Sequence, residues 1–359
     1  MAGGVMLMAG GTGGHVFPAL AVAEELRERG VAVCWLGSAD SFESRVVPEH
    51  GIDIRLVNIR GLRGTGLKRW LSAPFRIVRA LFQSARILRQ CRPRVVLGMG
   101  GFVTGPGGLM ARLLGIPLVI HEQNAVPGMT NGWLSRLASR VFEAFPGSFG
   151  GRVGAVACGN PVRREIAALP GPAVRLQGRR GPVRLLVVGG SLGAQALNLT
   201  MPEVLATLAT ETRPLVRHQA GRDKSEATRA AYQALGIEAE VSDFIQDMAA
   251  AYAWADLVVC RAGALTVSEL ATAGVAAILV PYPHAVDDHQ TRNAGYLVDA
   301  GAARLLPQAE LEQDGFSDEL KALLVDREPL LAMAVKARAL AMPGATNVVA
   351  DFCQEIASR

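Results

Sequence analysis

The sequence lacks the patterns of a membrane span, a secreted leader or a disulfide framework. A long uncharged run, Val95 to Ala111, contains six glycines and a proline, so we expect a loop region there. The first basic residue is Arg27, and we therefore expect no signal peptide. The five cysteines are odd in number and show no CxxC spacing, which argues against disulfides and zinc and favours a reducing cytosol.

The familiar nucleotide-binding motifs are also missing. None of the three glycine turns (GGTGGH at 10–15, GMGGFVTGPGG at 98–108, GGSLGA at 189–194) spells GxGxxG, and none is followed by Lys-Ser or Lys-Thr. No Asp-x-Asp pair is present to hold a metal on a diphosphate. The turns are compatible with a diphosphate that is neutralised by backbone amides, arginine and helix dipoles, so we expect no metal and no cofactor.

What the chain does contain is a repeated alternation of short apolar runs and helical segments. With 359 residues, half of them hydrophobic and 19% charged, two domains with separate cores are expected. The succession of strand, glycine turn and helix begins at Val5 and again at Val183. The pattern predicts α/β architecture with two tandem Rossmann-like domains, residues 1–160 and 161–342. A ligand would lie in the cleft between them, at the carboxyl ends of both sheets.

Prolines and polar stretches predict several local boundaries. The first helix is expected at about Pro18 to Arg29. Residues 61–72 are expected to form an exposed loop, followed by a helix with Pro74 in its first turn that runs to about Gln90. The Pro/Gly/Arg-rich stretch 170–182 is expected to be a surface excursion.

The stretch Asp256–Glu269 carries the strongest local signal for a ligand site. Asp256 to Cys260 is typical of a buried parallel strand, and Thr266 is expected to start a helix after a glycine turn. This geometry presents backbone N–H groups and a positive dipole end to a ligand. Thr266-x-x-Glu269 has two interpretations. It is either a capping box, the commoner pattern, or a site in which the Glu269 carboxylate accepts both hydroxyls of a ribose.

Charge is divided unequally along the chain. Residues 1–159 carry 18 Lys+Arg and 9 Asp+Glu, a net charge of +9, whereas the remainder carries 19 and 23, a net charge of −4. No Asp or Glu lies between Asp53 and Glu122, whereas twelve basic residues do. One face of the first half should therefore meet an anionic partner, and nucleic acid or an anionic membrane would both fit.

An anionic membrane is the better match. The basic stretch lacks the interleaved aromatic residues of a single-strand binder, so we expect no nucleic acid. Each basic side chain near an anionic leaflet contributes about 1 kcal/mol. The alternative is that the 74–90 helix packs its apolar side on the first sheet. Membrane contact and this packing are compatible if only the first turn of the helix and the preceding loop are exposed. The residues expected at the membrane are Leu67, Lys68, Arg69, Trp70, Leu71, Phe75, Arg76 and Arg79.

Seven segments, taken together, carry a family resemblance. They are GGTGGHVFPAL, GMGGFVTGPGG, HEQNAVPG, GNPVR, GGSLGA, FIQDMAAAYAWADLVVCRAGALTVSE and PHAVDDHQTRNA, in order from residue 10 to 294. The chain resembles the MurG family of bacterial glycosyltransferases. The resemblance implies the type B glycosyltransferase fold, with a C-terminal helix at about 343–359 packing back on the first domain.

The resemblance also implies an activity. It is the inverting transfer of N-acetylglucosamine (GlcNAc) from UDP-GlcNAc to the 4-hydroxyl of the muramyl sugar of lipid I, giving lipid II in peptidoglycan synthesis. Such an enzyme would be peripheral, at the cytoplasmic face of the bacterial inner membrane, and would need no obligatory metal. The sequence identifies no protein partner.

Donor contacts follow from the resemblance position by position. The backbone of Ile245 would bind the uracil edge and Glu269 the ribose. The diphosphate would lie on Ser191, the Gly189–Ala194 turn and Arg163. The sugar would contact Asn124, Gln290, the Ala264 amide with the adjoining Leu265 and Thr266, and the turn of Thr12, Gly13 and Gly14. His289 precedes Gln290 where the family pattern has Gln-Gln, which is a departure from the family.

The reaction needs a base for the acceptor hydroxyl. His15 is the candidate because it stands at a helix start, where the dipole disfavours the imidazolium and keeps a neutral nitrogen available. The alternative for His15 is a structural contact. Glu122 is the second candidate, as base or as a ligand of the acceptor sugar. His121 ends a strand and is expected to be packed and hydrogen-bonded.

Two other function classes remain open from the residues alone. One is another enzyme of the same fold, such as a glycolipid glycosyltransferase or a UDP-GlcNAc 2-epimerase. The other is a non-enzymatic protein that binds a nucleotide sugar or nucleic acid. A donor and acceptor assay separates these classes.

Overall fold

The chain folds into two compact α/β units. The computed structural model describes residues 3–59, 67–151, 153–190 and 193–359, and for residues 67–73, 286 and 314 it describes the backbone alone. Unit 1 comprises Met1–Arg163 and Met342–Arg359, and unit 2 comprises Arg164–Ala341. Each unit has one parallel sheet, so the predicted α/β architecture is confirmed.

Unit 1 is built on seven parallel strands. These are β1 (Val5–Met8), β2 (Val33–Ser38), β3 (Asp53–Val57), β4 (Val95–Gly98), β5 (Leu118–Glu122), β6 (Arg140–Glu143) and β7 (Val156–Ala157). Their order in the sheet is β3-β2-β1-β4-β5-β6-β7. The helices of its first segment are α1 (Gly13–Glu28), α2 (Phe42–Glu49), α3 (Leu67–Cys91), α4 (Thr104–Leu113) and α5 (Met129–Leu134).

Unit 2 repeats this plan with six parallel strands. These are β8 (Arg184–Val188), β9 (Leu215–Gln219), β10 (Ala239–Ser242), β11 (Leu257–Cys260), β12 (Ala276–Leu279) and β13 (Ala303–Leu305), in the order β10-β9-β8-β11-β12-β13. The helices are α6 (Arg164–Ala167), α7 (Pro172–Arg175), α8 (Gln195–Ala206), α9 (Ser225–Ala234), α10 (Met248–Trp254), α11 (Ala264–Ala273), α12 (His289–Val298), α13 (Asp314–Val325) and α14 (Arg327–Ala339). The last helix, α15 (Ala345–Ser358), belongs to unit 1.

The apolar strands of unit 1 are buried on both faces, as parallel strands require. In β1, Val5 and Leu7 lie in a core with residues of α1 and α15, whereas Met6 and Met8 lie in a second core with residues of α3 and α4. The rings of Phe142 in β6 and Phe352 in α15 pack edge to face, 5.7 Å apart. The C-terminal helix is therefore part of the core of unit 1.

In both sheets the strand order reverses beside the first strand. The reversal lies between β1 and β4 in unit 1 and between β8 and β11 in unit 2. Ligands of open parallel sheets bind outside the carboxyl ends of the strands at such a point. All three glycine turns predicted from the sequence follow strands that flank these points.

Two helix starts differ from the sequence-based prediction, both at prolines. Helix α1 begins at Gly13 rather than Pro18. Gly11, whose φ is 95°, turns the chain just before the N-cap residue Thr12. Helix α3 already begins at Leu67, so the loop prediction is wrong for 67–72, and residues 61–66 lie outside the described part. Pro74 lies inside α3 rather than in its first turn. The sequence predicts Pro18 as a helix start and Pro74 as a first-turn residue, but each lies inside its helix, so both predicted starts are too late.

Most residues of the stretch 170–182 are exposed, as predicted, but two of its arginines bind the neighbouring backbone and a buried carboxylate. The guanidinium of Arg175 donates to the carbonyl oxygens of Ala273 and Gly274, at 2.5 and 2.6 Å, where α11 ends. Arg179 Nη1 donates to Asp256 Oδ1 at 2.6 Å, and the Asp256 side chain is fully buried. These arginines attach the stretch to the sheet, which composition alone did not indicate.

Candidate functional site

The two glycine turns of unit 1 interlock at the carboxyl ends of β1 and β4. The Gly10 N–H donates to the Gly100 carbonyl at 3.2 Å, and the Thr104 hydroxyl donates to the same carbonyl at 2.7 Å. A Cβ atom on Gly101 would lie 2.4 Å from the Gly10 carbonyl oxygen, and the φ of Gly101 is 88°. Only glycine fits at position 101, so the two turns form one rigid platform.

A buried carboxylate completes this platform. Glu43 is fully buried; its Oε1 accepts from the Ser38 N–H at 2.9 Å and its Oε2 from the Gly11 N–H at 3.0 Å. Glu43 is not predicted from the sequence, because a glutamate near the start of α2 looks like an ordinary residue that complements the helix dipole. Its partner Gly11 lies 32 positions away in the sequence.

Helix α1 starts on this platform with the residues predicted to contact a sugar. Thr12 is the exposed N-cap residue, and Gly13 and Gly14 are the first two helical residues. Within the described part of the chain, the Thr12 side chain makes no capping hydrogen bond. The His15 N–H already donates to the Thr12 carbonyl at 3.1 Å, so the N–H groups of Gly13 and Gly14 are the ones suited to donate to a ligand oxygen.

His15 is the third residue of α1 and is partly exposed. Its Nδ1 lies 2.9 Å from Gln123 Oε1, and Gln123 Nε2 lies 3.1 Å from His121 Nδ1. The other ring nitrogen of His121, Nε2, lies 2.9 Å from the Gly159 carbonyl oxygen. A chain of hydrogen bonds thus runs from the helix start into the core of unit 1.

The two inner side chains of this series of hydrogen bonds, Gln123 and His121, are buried. His121 is 0% exposed and Gln123 is 1% exposed. Burial lowers the pKa of His121 to about 4, so its imidazole is neutral at pH 7. The expectation that His121 is a packed, hydrogen-bonded residue is confirmed.

Both carboxylate oxygens of Glu122 accept hydrogen bonds from the protein. It is 1% exposed, and its Oε1 accepts from the Asn124 N–H at 2.9 Å and from Asn124 Nδ2 at 3.1 Å. Its Oε2 accepts from Asn131 Nδ2 at 2.9 Å and from the Gly128 N–H at 3.2 Å. These contacts organise the loop after β5 and place Asn124 at its start.

In unit 2, two helices start side by side at the point where the strand order reverses. Val188 at the end of β8 pairs with Cys260 at the end of β11. The chain leaves β8 through the Gly189–Ala194 turn into α8, and it leaves β11 through Gly263 into α11. Two positive dipole ends therefore lie together, an arrangement suited to a diphosphate.

The Glu269 carboxylate is not part of a capping box. Helix α11 begins at Ala264 rather than Thr266, so Glu269 is its sixth residue, beyond the turn whose N–H groups a cap can reach. Glu269 is 4% exposed, and its Oε2 accepts from the Tyr252 hydroxyl at 3.1 Å. The capping interpretation is wrong.

Two protein-family models match the chain, one in its first half and one in its second half. Residues 5–143 match the Glycosyltransferase family 28 N-terminal domain, and residues 184–352 match the Glycosyltransferase family 28 C-terminal domain. The chain belongs to glycosyltransferase family 28. The family resemblance seen in the sequence motifs is thereby confirmed.

A family 28 relative from Marinobacter nauticus matches over nearly the whole chain. It is 55% identical over 353 residues, which are 98% of this chain and 97% of the relative. Its name is UDP-N-acetylglucosamine--N-acetylmuramyl-(pentapeptide) pyrophosphoryl-undecaprenol N-acetylglucosamine transferase.

Solved structures extend the comparison. The crystal structure of MurG from Acinetobacter baumannii is 47% identical, with a TM-score of 0.84 and coverage of 98% of this chain and 99% of that one. The UDP-GlcNAc 2-epimerase from Neisseria meningitidis has a TM-score of 0.66 at 14% identity, covering 98% of this chain and 100% of that one. This second likeness shows the fold alone.

The other predicted contacts of this family 28 protein lie in loops or first turns at the carboxyl ends of strands. Ile245 is partly buried in the loop after β10. Gln290 is the second residue of α12, and its Oε1 accepts from the Tyr282 N–H at 2.9 Å. Arg163 is partly buried and ends the first segment of unit 1.

Leu265 and Thr266 follow Ala264 in the first turn of α11, next to the turn after β8. Ser191 lies outside the described residues. Among the residues that the structure describes, no three His, Cys, Asp or Glu side chains are grouped so as to hold a metal ion.

Proposed function

We propose that this protein transfers GlcNAc from UDP-GlcNAc to the 4-hydroxyl of the muramyl sugar of undecaprenyl-pyrophosphoryl-MurNAc-pentapeptide, lipid I. The products are lipid II and UDP, and the anomeric configuration is inverted. The observation that carries the proposal is the 55% identity, over both units, to a relative that bears the name of this transferase. The weak likeness to an epimerase concerns the fold and does not favour epimerisation.

In unit 1, His15 is assigned as the general base. It lies in the first turn of α1 and its ring is partly exposed, so a nitrogen can reach a hydroxyl. Glu122 is a weaker candidate, because both of its oxygens already accept hydrogen bonds from the loop after β5. Thr12, Gly13, Gly14 and Asn124 remain predicted sugar contacts.

In unit 2, the assigned contacts follow the parts of the donor. Glu269, buried on α11, is assigned to the ribose hydroxyls, and the backbone of Ile245 to the uracil edge. The starts of α8 and α11 are assigned to the diphosphate, with Ser191; Arg163, which belongs to unit 1, remains a predicted diphosphate contact. Backbone N–H groups and helix dipoles at this point stabilise the charge that develops on departing UDP. Ala264, Leu265, Thr266 and Gln290 remain predicted contacts near the sugar.

The proposed reaction is tested with radiolabelled UDP-GlcNAc and a lipid I analogue, followed by product mass. We expect an acceptor-dependent product heavier by one GlcNAc residue, with UDP released. Conversion of UDP-GlcNAc to its 2-epimer without an acceptor would overturn the proposal in favour of an epimerase. Activity should survive EDTA to a large degree, and a complete loss that Mg²⁺ restores would contradict the metal-free mechanism.

Helix α3 supports a second part of the proposal, attachment to an anionic membrane surface. The described side chains of its buried face are Ala80, Ser84, Ala85 and Leu88, three of which are small. Phe75 and Phe82 lie on the other side and are 80% and 74% exposed. Apolar residues of α3 therefore lie on both the buried and the exposed side of the helix. The expectation that only its first turn is exposed is wrong.

The exposed part of α3 combines apolar and basic residues. Val78 is 49% exposed between the two phenylalanines, and we name Phe75, Val78 and Phe82 the α3 stripe. Arg79 and Arg86 lie on the same helix and are also exposed. Arg76 is partly buried, and the side chains of Leu67, Lys68, Arg69, Trp70 and Leu71 lie outside the described residues.

We place this surface on the cytoplasmic face of the bacterial inner membrane as a peripheral contact. An exposed apolar stripe flanked by arginines is suited to shallow insertion among anionic headgroups. In the described part of the chain, no helix has the length and apolar character needed to cross a bilayer. Peripheral contact would bring the enzyme to a lipid-linked acceptor.

A charge reversal tests the membrane contact. The Lys68/Arg69/Arg76/Arg79→Glu variant should lose binding to vesicles of anionic lipid, since it loses attraction of about 1 kcal/mol for each basic residue. It should keep turnover of a soluble acceptor analogue. The matched control reverses four exposed basic residues of unit 2, Arg180, Arg304, Lys321 and Lys336, and should still bind vesicles. Equal loss in both variants, or wild-type binding that salt does not weaken, would contradict the assignment.

A further inference from the structure

The hydrogen-bond chain behind His15 ends on two backbone carbonyl groups. The carbonyl oxygen of Gly159 lies 2.9 Å from His121 Nε2, and the carbonyl oxygen of His121 lies 3.2 Å from Gln123 Nε2. A carbonyl oxygen only accepts hydrogen bonds. His121 therefore carries its proton on Nε2, and the amide of Gln123 is oriented with its NH₂ group toward His121.

The proton on His121 Nε2 and the orientation of the Gln123 amide determine where the other protons of this hydrogen-bond chain lie. Neutral His121 with a proton on Nε2 has a lone pair on Nδ1, which accepts from Gln123 Nε2 at 3.1 Å. The oxygen of the Gln123 amide then faces His15 Nδ1 at 2.9 Å and can only accept. His15 must carry a proton on Nδ1, which leaves the lone pair of the neutral ring on Nε2.

We propose that Gln123 is a positioning residue, which holds His15 in the tautomer with its proton on Nδ1 and so leaves Nε2 as the proton acceptor. The proposal rests on the proposed function in one respect, the role of His15 as general base. Gln123 does not touch the reacting atoms in this scheme. It acts by selecting which nitrogen of His15 can accept the proton of the acceptor hydroxyl.

The surroundings restrict both side chains. A Cβ atom on Gly100 would lie 2.7 Å from His15 Nδ1, so glycine at this position leaves room for the ring beside Gln123. Asn160 Nδ2 donates to the Gln123 carbonyl at 3.1 Å and holds the backbone of this residue. Because Gln123 is 1% exposed, water does not compete freely for its amide oxygen.

The tautomer of His15 is measured directly by NMR of protein labelled with ¹⁵N in histidine. The His15 signals are identified by their loss in His15→Ala. We expect a protonated Nδ1 and an unprotonated Nε2 in the wild type at neutral pH. A protonated Nε2 with an unprotonated Nδ1 would overturn the inference.

Three variants separate positioning from packing. Gln123→Met keeps the approximate volume but removes the amide, so the Nδ1–H tautomer should no longer dominate. Its kcat should fall roughly tenfold, the scale of one lost hydrogen bond, with little change in donor KM. The acidic limb of its kcat/KM profile should move to lower pH, because the imidazolium loses an acceptor for its Nδ1 proton. Gln123→Glu keeps an acceptor toward His15 but loses the NH₂ group that donates to His121, so the Nδ1–H tautomer should persist while kcat recovers only in part.

His121→Phe is the matched control for disturbance of the core. It removes the ring nitrogens, but the backbone carbonyl of residue 121 still accepts from Gln123 Nε2, so the His15 tautomer should persist. A change of tautomer in His121→Phe as large as that in Gln123→Met would show a general packing effect and overturn the inference. Unchanged kcat and pH profile in Gln123→Met would overturn it as well.

Failure of the inference and failure of the proposed function are distinguishable. If the wild type shows the Nδ1–H tautomer but His15→Ala keeps full kcat, the role of His15 as base is overturned, and with it the positioning role of Gln123 in catalysis. If the wild type shows the Nε2–H tautomer while transfer to lipid I proceeds, the inference is overturned and the proposed function stands.

Discussion

The glycine turns after β1 and β8 occupy equivalent places in the two units, but they are held in different ways. In unit 1 side chains add to the backbone bond between Gly10 and Gly100: Glu43 accepts from Gly11, and His15 at the end of the turn is tied to Gln123. In unit 2 the described residues of the turn are held by backbone bonds: the Gly189 N–H donates to the Gln219 carbonyl at 3.0 Å, and the Gly193 N–H to the Gly190 carbonyl at 3.0 Å.

This difference matches the chemistry proposed for each turn. Proton transfer requires one nitrogen of one ring in a fixed orientation, and such orientation comes from specific side-chain partners. A diphosphate is large and carries many acceptor oxygens, so backbone N–H groups and helix dipoles suffice to bind it. One local pattern, strand–glycine turn–helix, therefore serves two tasks.

The largest expected effect concerns the turn of unit 1. His15→Ala should lower kcat by roughly 10²–10⁴-fold, the contribution of a general base, with little change in donor affinity. Glu122→Gln is the comparison, since Glu122 holds a loop, and we expect it to lower thermal stability more than kcat. An active His15→Ala together with an inactive Glu122→Gln, measured by steady-state kinetics, would reverse the two roles.

The next effect concerns unit 2. Glu269→Ala should raise donor KM about 10- to 100-fold, the loss expected for hydrogen bonds to a charged group. Discrimination against 2′-deoxy-UDP donors should shrink, because the carboxylate no longer contacts the ribose hydroxyls. The melting temperature is measured in parallel. A loss of stability with unchanged donor KM would remove Glu269 from the donor site.

Alanine substitutions of two glycines test whether the turns have separate tasks. Gly101 and Gly193 have φ values of 88° and 72°, and their Cβ atoms would lie 2.4 Å from the Gly10 carbonyl oxygen and 2.2 Å from the Ala220 carbonyl oxygen. Each substitution should cost about 1–3 kcal/mol of stability. Gly101→Ala should lower kcat, whereas Gly193→Ala should raise donor KM.

Gly236→Ala is the control for these two variants. It has a φ of 66° but no atom within 4 Å of the added Cβ, so it should lower stability without changing either kinetic constant. Identical kinetic defects in Gly101→Ala and Gly193→Ala would contradict the division of tasks between the turns.

The smallest expected effect is that of Tyr252→Phe. The Tyr252 hydroxyl donates to Glu269 Oε2, so its loss removes one hydrogen bond that orients the carboxylate. We expect donor KM to rise about fivefold, in line with about 1 kcal/mol for a single hydrogen bond. A change in kcat instead of KM would show that Tyr252 acts outside donor binding.

Much of the fold was predictable because its signals are local. Apolar runs such as Val183–Val188 are typical of strands buried on both faces, and the glycines that follow them mark the turns. The predictions that failed used single residues as markers. Pro18 and Pro74 were taken as helix starts, and Thr266 with Glu269 as a possible cap, although all four lie within helices that begin earlier.

The sequence by itself determined the alternation of strands and helices, the division into two α/β units and the family, since each is written in contiguous residues. Only the tertiary structure decided which side chains work together. His15 meets Gln123 across 108 positions, and Gly11 meets Glu43 across 32. Such pairs arise where parallel strands place their carboxyl ends at one edge of the sheet, and local periodicity carries no information about them.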